Sequence, residues 1–310
     1  MRNAARSLLA LVAVSCLATA CQAPPAAGEI PLRLPAAGRI VAVGDLHGDL
    51  EATRRALRLA GVLDEDDRWC GGETVLVQTG DQLDRGDQEQ AILDLLERLG
   101  REAAAAGGAV HVLNGNHEIM NVALDLRYVT EGGYADFADA VELPADAAAD
   151  TQLAGRDPAH RVRVAAFRPG GRYALLLSER NTVQMIGDNL FVHGGVLPAH
   201  LDYGLERINA EVRAWMRGEG PEPAYMHEKG SVTWDRHYSD EPDAEDCALL
   251  GRVLAALGAA RMVVGHTSHE DGIAAYCDGR VWVVDTGLSS AYGGVTQALE
   301  ITAEGVRILR

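Results

Sequence analysis

The sequence predicts an α/β protein with two facing mixed β-sheets, flanked by helices and carrying a helical insertion. Three observations predict it. Short β-branched runs alternate with helical segments up to residue 113, the pattern of a parallel sheet with crossover helices. Residues 119–180 are rich in Ala and Asp and mostly helical in character, as a cap or insertion would be. Beyond them lie several short strands separated by turn residues, which suggests a second sheet, richer in antiparallel pairs, facing the first.

The elements follow in order. Arg2 and Arg6 precede an uncharged, mostly apolar run over residues 7–17, then Ala18-Thr19-Ala20-Cys21. That run is short for a membrane span and suits a secretory signal peptide over residues 1–20. Small residues before a cysteine resemble a bacterial lipoprotein cleavage site. Cys21 would then be the lipidated N-terminus, anchoring an exported, periplasmic protein to a bacterial membrane; ordinary cleavage to a soluble exported protein is the alternative. Residues 21–38, rich in Ala, Pro and Gly, read as a flexible tether, leaving 39–310 as the folded domain.

Within that domain, residues 39–43 form a buried strand ending in Gly44-Asp45, and a helical pattern covers 50–60. A second strand, 74–78, is followed by Gly80-Asp81. Residues 88–106 form an amphipathic helix with Ile92, Leu95, Leu96 and Leu99 on one face. A third strand, 110–113, runs into Asn114-Gly115-Asn116-His117. After the insertion, 183–186 and 190–193 make a hairpin turned at Gly187-Asp188-Asn189. Helices follow at 203–217 and 244–257, with a polar loop between them, and strands at 261–264, 272–276, 281–284 and 296–301.

Charge narrows the function. With 28 basic and 45 acidic side chains the net charge is −17, and losing Arg2 and Arg6 makes it two units more negative. Such a chain has no global attraction for nucleic acid or anionic lipid. A site for an anionic phosphate must therefore be made locally positive by metal ions and arginines. Outside the export segment remain Cys70, Cys247 and Cys277. Export permits a disulfide; three cysteines allow at most one, and the sequence does not choose the pair.

The chemistry gathers at strand ends, where ligand sites of parallel sheets form. In Gly44-Asp45-Leu46-His47-Gly48 a carboxylate and an imidazole stand two apart and suit Zn, Mn or Fe. Alone, such a pair reads better as a solvated turn. In Gly80-Asp81-Gln82-Leu83-Asp84-Arg85-Gly86-Asp87, the two oxygens of Asp81 can bridge two ions and Arg85 offers a fork for phosphate. Asp87, just before the next helix, reads as its cap. In Gly115-Asn116-His117-Glu118, Asn116 supplies a neutral ligand oxygen and His117 a proton donor to a leaving alkoxide. His193 and His266 each follow an apolar run beside glycine. Any one of these blocks has an ordinary structural explanation; five strand-end blocks in one chain do not.

These blocks, in this order from about residue 39 to residue 294, resemble the calcineurin-like metallophosphoesterase superfamily, its phosphoprotein phosphatase family, and the Shewanella-like branch of that family. Asp84 before Arg85 separates them from the symmetrical dinucleoside tetraphosphatases. Asn114 stands where the animal Ser/Thr enzymes carry Arg, so their regulatory partners do not transfer. The resemblance implies a four-layer sandwich with two metal ions, Mn, Fe or Zn. Asp45, His47 and Asp81 would hold one, and Asp81, Asn116, His193 and His266 the other. His117, oriented by Asp84, would be the general acid; Arg85, Asn116 and a second arginine, for which Arg236 is the candidate, would bind phosphate. Tyr292, near Asp285, either closes the pocket or simply packs. His160, His200, His227, His237 and His269 read as surface or structural residues.

The implied activity is direct hydrolysis of a phosphomonoester by a metal-bridging hydroxide, with no Ser or Cys nucleophile. Substrates would be a phosphorylated protein or peptide, carrying phosphoserine, phosphothreonine or phosphotyrosine, or a small phosphate ester. Two alternatives stand beside it: a nucleotide or dinucleoside-polyphosphate hydrolase on the same metals, and a tethered metal-binding protein without catalysis. Retention of His117 and Arg85 together speaks against the last.

Overall fold

A computed structural model describes residues 31–143, 147 and 149–310. The expected signal peptide and Cys21 lie outside the described residues. The chain enters through β1 (Arg33–Leu34) and β2 (Arg39–Val43), then α1 (Leu50–Leu59), β3 (Val75–Gln78), α2 (Glu89–Ala105) and β4 (Ala109–Val112). Four helices follow: α3 (Asn116–Val122), α4 (Glu131–Asp136), α5 (Pro158–Phe167) and α6 (Arg172–Ser178). The second half holds β5 (Val183–Ile186), β6 (Asn189–Val192), α7 (Pro198–Tyr203), α8 (Leu205–Met216), α9 (Ala244–Leu257), β7 (Arg261–Val264), β8 (Ala274–Tyr276), β9 (Val281–Val283), β10 (Ala298–Thr302) and β11 (Gly305–Leu309).

The strands make two mixed sheets, one of order β11-β10-β2-β3-β4 and one of order β1-β5-β6-β7-β9-β8. Alternation along each strand sends side chains to opposite faces. Ile40, Ala42, Val77 and Leu113 of the first sheet therefore meet Ile186, Phe191, Val263 and Val284 of the second in a core between them. The other face of the first sheet, with Val41, Val43 and Leu76, is covered by α1 and by Ile92, Leu95, Leu96 and Leu99 of α2. The other face of the second sheet, with Val183, Met185 and Val192, is covered by α6, α8 and α9. Full burial of each such aliphatic side chain stabilises by about 1.5–3 kcal/mol. The result is four layers.

Several elements differ from the sequence-based expectation. Part of the expected tether belongs to the fold: Leu32 is buried, and β1 pairs with Met185 and Ile186 of β5. β10 joins the first sheet, antiparallel to β2 with Leu299 opposite Ala42, and β11 extends that edge. The second sheet correspondingly keeps a parallel centre, β6-β7-β9. The helix expected over 203–217 begins earlier and breaks at Gly204, whose φ of 102° no L-residue adopts readily. Asp87 does not cap α2; Gln88 holds the cap position without a side-chain bond, and Asp87 accepts the hydroxyl of Thr130 instead. Cys247 in α9 and Cys277 after β8 form a disulfide across a sequence separation of 30, and among the described residues Cys70 is free and exposed. Among the described residues no helix is long and apolar enough to cross a membrane.

Candidate metal centre

Both sheets deliver residues to one place. β2, β3 and β4 run parallel in one sheet, and β6, β7 and β9 run parallel in the other. Asp45 and His47 follow β2, Asp81 follows β3, and Asn116 and His117 open α3 after β4. His193 follows β6 and His266 follows β7. All seven are buried.

The turns that aim these side chains are strained. His47, Asp81, Asp84, Arg85 and His266 have φ of 45°, 56°, 67°, 68° and 66°, in a region non-glycine residues rarely occupy. Tight backbone approach explains the flanking glycines. A Cβ on Gly265 would lie 2.4 Å from Asp45 Oδ1, and one on Gly115 would lie 2.2 Å from Asp81 Oδ1. Glu118 locks two of the turns together. Its carboxylate accepts the backbone N–H groups of Asp81, Gln82, Leu83 and Gly115 at 2.8, 2.9, 3.2 and 2.8 Å.

One cluster forms around Asp81. His193 Nε2 lies 3.1 Å from Asp81 Oδ2 and 2.8 Å from Asn116 Oδ1. The other ring nitrogen, Nδ1, sits 2.9 Å from the carbonyl of Thr79, which fixes the ring and leaves Nε2 facing the cluster. Ligand atoms of Asp81, His193 and His266 all lie within 4.8 Å of one another. A second cluster shares Asp81: His47 Nε2 is 3.9 Å from Asp45 Oδ2 and 4.0 Å from Asp81 Oδ2. His47 Nδ1 is likewise bound to a backbone carbonyl, that of Leu83, at 3.0 Å.

His117 also reaches the second cluster, with Nε2 3.8 Å from Asp81 Oδ2. Its Nδ1 is 2.5 Å from Asp84 Oδ2. The Arg85 guanidinium stands over the rings of Tyr128 at 4.6 Å and Tyr292 at 5.2 Å. Tyr292 also lies beside His47, its hydroxyl 3.5 Å from Nε2, so it lines the site. Arg236 is exposed and donates to Thr267 at 2.9 Å, next to His266.

The electrostatics call for cations. Burial holds the Asp45 carboxyl well above its usual range, helped by the nearby charges of Asp285 and Asp81. Burial also pushes Asp81 up, but the surrounding His193, His117 and His47 outweigh this and hold it well below the usual range. His47 is pushed down to about 4, by burial first and then by His117. Burial and His193 hold His266 well below its usual value, and Arg236 adds to this. Burial opposes charge on His117 too, yet Asp81 and the bond to Asp84 raise it overall. The lowered pKa values of His47 and His266 favour neutral rings with lone pairs, and His266 Nε2 is buried with no hydrogen-bond partner among the described residues. Unpaired lone pairs beside buried carboxylates are costly unless a metal takes them. The donor set, carboxylate, imidazole and amide oxygen, suits Mn, Fe and Zn. These residues fit a pair of metal ions.

The strand-end motifs thus meet. Three further residues beside the site are not among those the motifs single out. Asp285 follows β9 as Asp45 and Asp81 follow their strands, a signal of the same kind that could have found it. Tyr128, 5.2 Å from the His117 ring, sits between α3 and α4 with no motif around it. Asn121, which donates to Asp84 Oδ1 at 2.9 Å, reads as an ordinary helical residue. His160, His227, His237 and His269 find partners elsewhere: the Tyr134 ring, Glu222, Asp235 and the carbonyl of Ser239. His200 accepts the N–H of Leu197.

Fold and site together define a metallophosphoesterase. Residues 38–270 match the family model described as calcineurin-like phosphoesterase. The chain is 42% identical over 301 residues to Shewanella-like protein phosphatase 2 of Arabidopsis thaliana, covering 87% of this chain and 77% of that one. It is 27% identical to Shewanella-like protein phosphatase 1 of Plasmodium berghei, covering 81% and 67%. The crystal structure of a cold-active protein-tyrosine phosphatase from a psychrophilic Shewanella species superposes with a TM-score of 0.73 at 26% identity, covering 91% and 83%. The chain belongs to the calcineurin-like phosphoesterase family and, within it, to the Shewanella-like protein phosphatases.

Proposed function

We propose that this protein is a metal-dependent phosphomonoester hydrolase acting on phosphorylated proteins or peptides. One observation carries the reading. Asp81 Oδ2 lies near the Nε2 atoms of His193, His47 and His117, at 3.1, 4.0 and 3.8 Å. A carboxylate so placed can serve two ions and leave the third imidazole for proton transfer. When bound, such ions activate water and neutralise phosphate charge. In this reading Asp45 and His47 would hold one ion, Asn116, His193 and His266 would hold the other, and Asp81 would serve both.

The chain supplies the remaining chemistry. Arg85 and Asn116 bind phosphate oxygens, and Arg236, at the rim beside His266, adds positive charge. His117 gives a proton to the leaving oxygen, kept in the required tautomer by Asp84. Tyr128 is 37% exposed and, with Tyr292, makes an aromatic wall next to Arg85. That wall favours phosphotyrosine, in keeping with the tyrosine phosphatase named among the similar structures.

The test is phosphate release by protein reconstituted separately with Mn, Fe or Zn, comparing phosphotyrosine, phosphoserine and phosphothreonine peptides with nucleotides. Faster release from nucleotides than from every phosphopeptide would overturn the substrate class. The N-terminal sequence supports export and a lipid anchor at Cys21. Labelling with a palmitate analogue in a bacterial host tests this, and label retained in Cys21→Ser would count against it.

A further inference from the structure

Arg163 has the largest side chain among those fully buried in the described residues, and it lies in the insertion rather than in either sheet. Burying a guanidinium is costly unless its donors are met. Here they are met by groups that lead to one place. Nε and Nη2 donate to Asn121 Oδ1 at 3.1 and 2.7 Å. Nη1 donates to the carbonyl of Gly133 at 2.9 Å and pairs with the Glu89 carboxylate. Nη2 also lies 3.6 Å from Asp84 Oδ1. The rings of Phe137 and Phe167, 4.9 and 4.8 Å away, hold the guanidinium in place.

The two side-chain partners, Asn121 and Glu89, both bear on Asp84. Because Arg163 claims the Asn121 oxygen, the Asn121 amide nitrogen is turned to donate to Asp84 Oδ1 at 2.9 Å. Glu89, with one oxygen on Arg163, accepts the backbone N–H of Asp84 with the other. That bond supports Asp84 at its φ of 67°. Arg163 thus fixes Asp84 through side chain and backbone at once, and Asp84 fixes His117. We infer that Arg163 is a positioning residue for the proton donor, coupling the insertion to the chemistry through Asn121 and Glu89. The inference rests on the phosphatase reading and on His117 as donor.

Turnover of phenyl phosphate, a poor leaving group, and of 2,4-dinitrophenyl phosphate, an activated one, separates positioning from general damage. Arg163→Lys, which keeps charge and loses the fork, should lower kcat on phenyl phosphate about tenfold and on the activated ester less than about twofold. Bound metal, read by elemental analysis, should be unchanged. Added to His117→Asn, Arg163→Lys should cause no further loss, since both act through one proton. Equal losses on the two esters, or a full second loss in the double variant, would overturn the inference. If Arg163→Lys does not fold, Asn121→Leu, which cuts the side-chain link and spares the Arg163–Glu89 ion pair, decides by the same criteria. The His117→Asn arm reads the underlying proposal separately. Equal loss on both esters there removes the donor role, and the inference with it. Selective loss there without selectivity in Arg163→Lys removes the inference alone.

Discussion

His117 Nδ1 lies 2.5 Å from Asp84 Oδ2, and both residues are buried. In the proposed reaction the carboxylate would hold the proton on Nδ1 and leave Nε2 to face the leaving oxygen. Asp84→Asn keeps the size and loses this preference. Turnover of a phosphomonoester with a poor leaving group should fall about 100-fold, and that of an activated aryl ester much less. Paired steady-state assays on the two esters check this.

Asp81 stands in both clusters, so Asp81→Asn should remove activity and metal together. Elemental analysis of the dialysed variant, beside calorimetric titration with Mn, reads the second effect. Full metal content with full activity would defeat the shared role.

The Arg85 guanidinium stands over the rings of Tyr128 and Tyr292, and its buried Nε has no hydrogen-bond partner among the described residues. In the proposed reaction that guanidinium binds the phosphate. Arg85→Ala should cost about 2–3 kcal/mol in kcat/KM, the scale of a hydrogen bond to a charged group. Arg85→Lys should recover only part of it, because the fork is lost. Inhibition by inorganic phosphate should weaken in parallel.

The strand-end motifs were legible because parallel strands must end near a common edge and because glycine flanks mark turns with forbidden geometry. Gly265 and Gly115 admit no Cβ beside Asp45 and Asp81; that pressure leaves glycine at those positions. Other features left no such mark. β1 is only two residues long and sits in an Ala-Pro-Gly stretch, so no alternation announces it. β10 reads as a strand, but nothing local says which sheet it joins; its register against β2 is a long-range fact. Arg163 lies in an Ala-rich helix where a basic residue reads as the solvated face. The Cys247–Cys277 pairing depends on how α9 packs beside the β8 turn, which spacing does not encode.

Gly265→Ala puts that principle to use. The added methyl would meet Asp45 Oδ1 at 2.4 Å, so either the His266 turn or Asp45 must move. Overpacking of this kind costs about 1–3 kcal/mol. The variant should unfold earlier in urea and bind Mn more weakly than the parent in the same titration.

Opening the disulfide should act on stability and spare the site, which lies on other elements. Cys247→Ser with Cys277→Ser should lower unfolding free energy by about 3.6 kcal/mol, the scale expected for a closed loop of this size. Chemical denaturation of the metal-loaded protein measures it, with kcat as the control that should not change.

Anomalous diffraction from crystals of the Mn-loaded protein, recorded on the absorption edge, tests the central claim most directly. Two peaks are expected, one among Asp45, His47 and Asp81 and one among Asp81, Asn116, His193 and His266, with an Asp81 oxygen in reach of both. A single peak, or two peaks away from Asp81, would contradict the account.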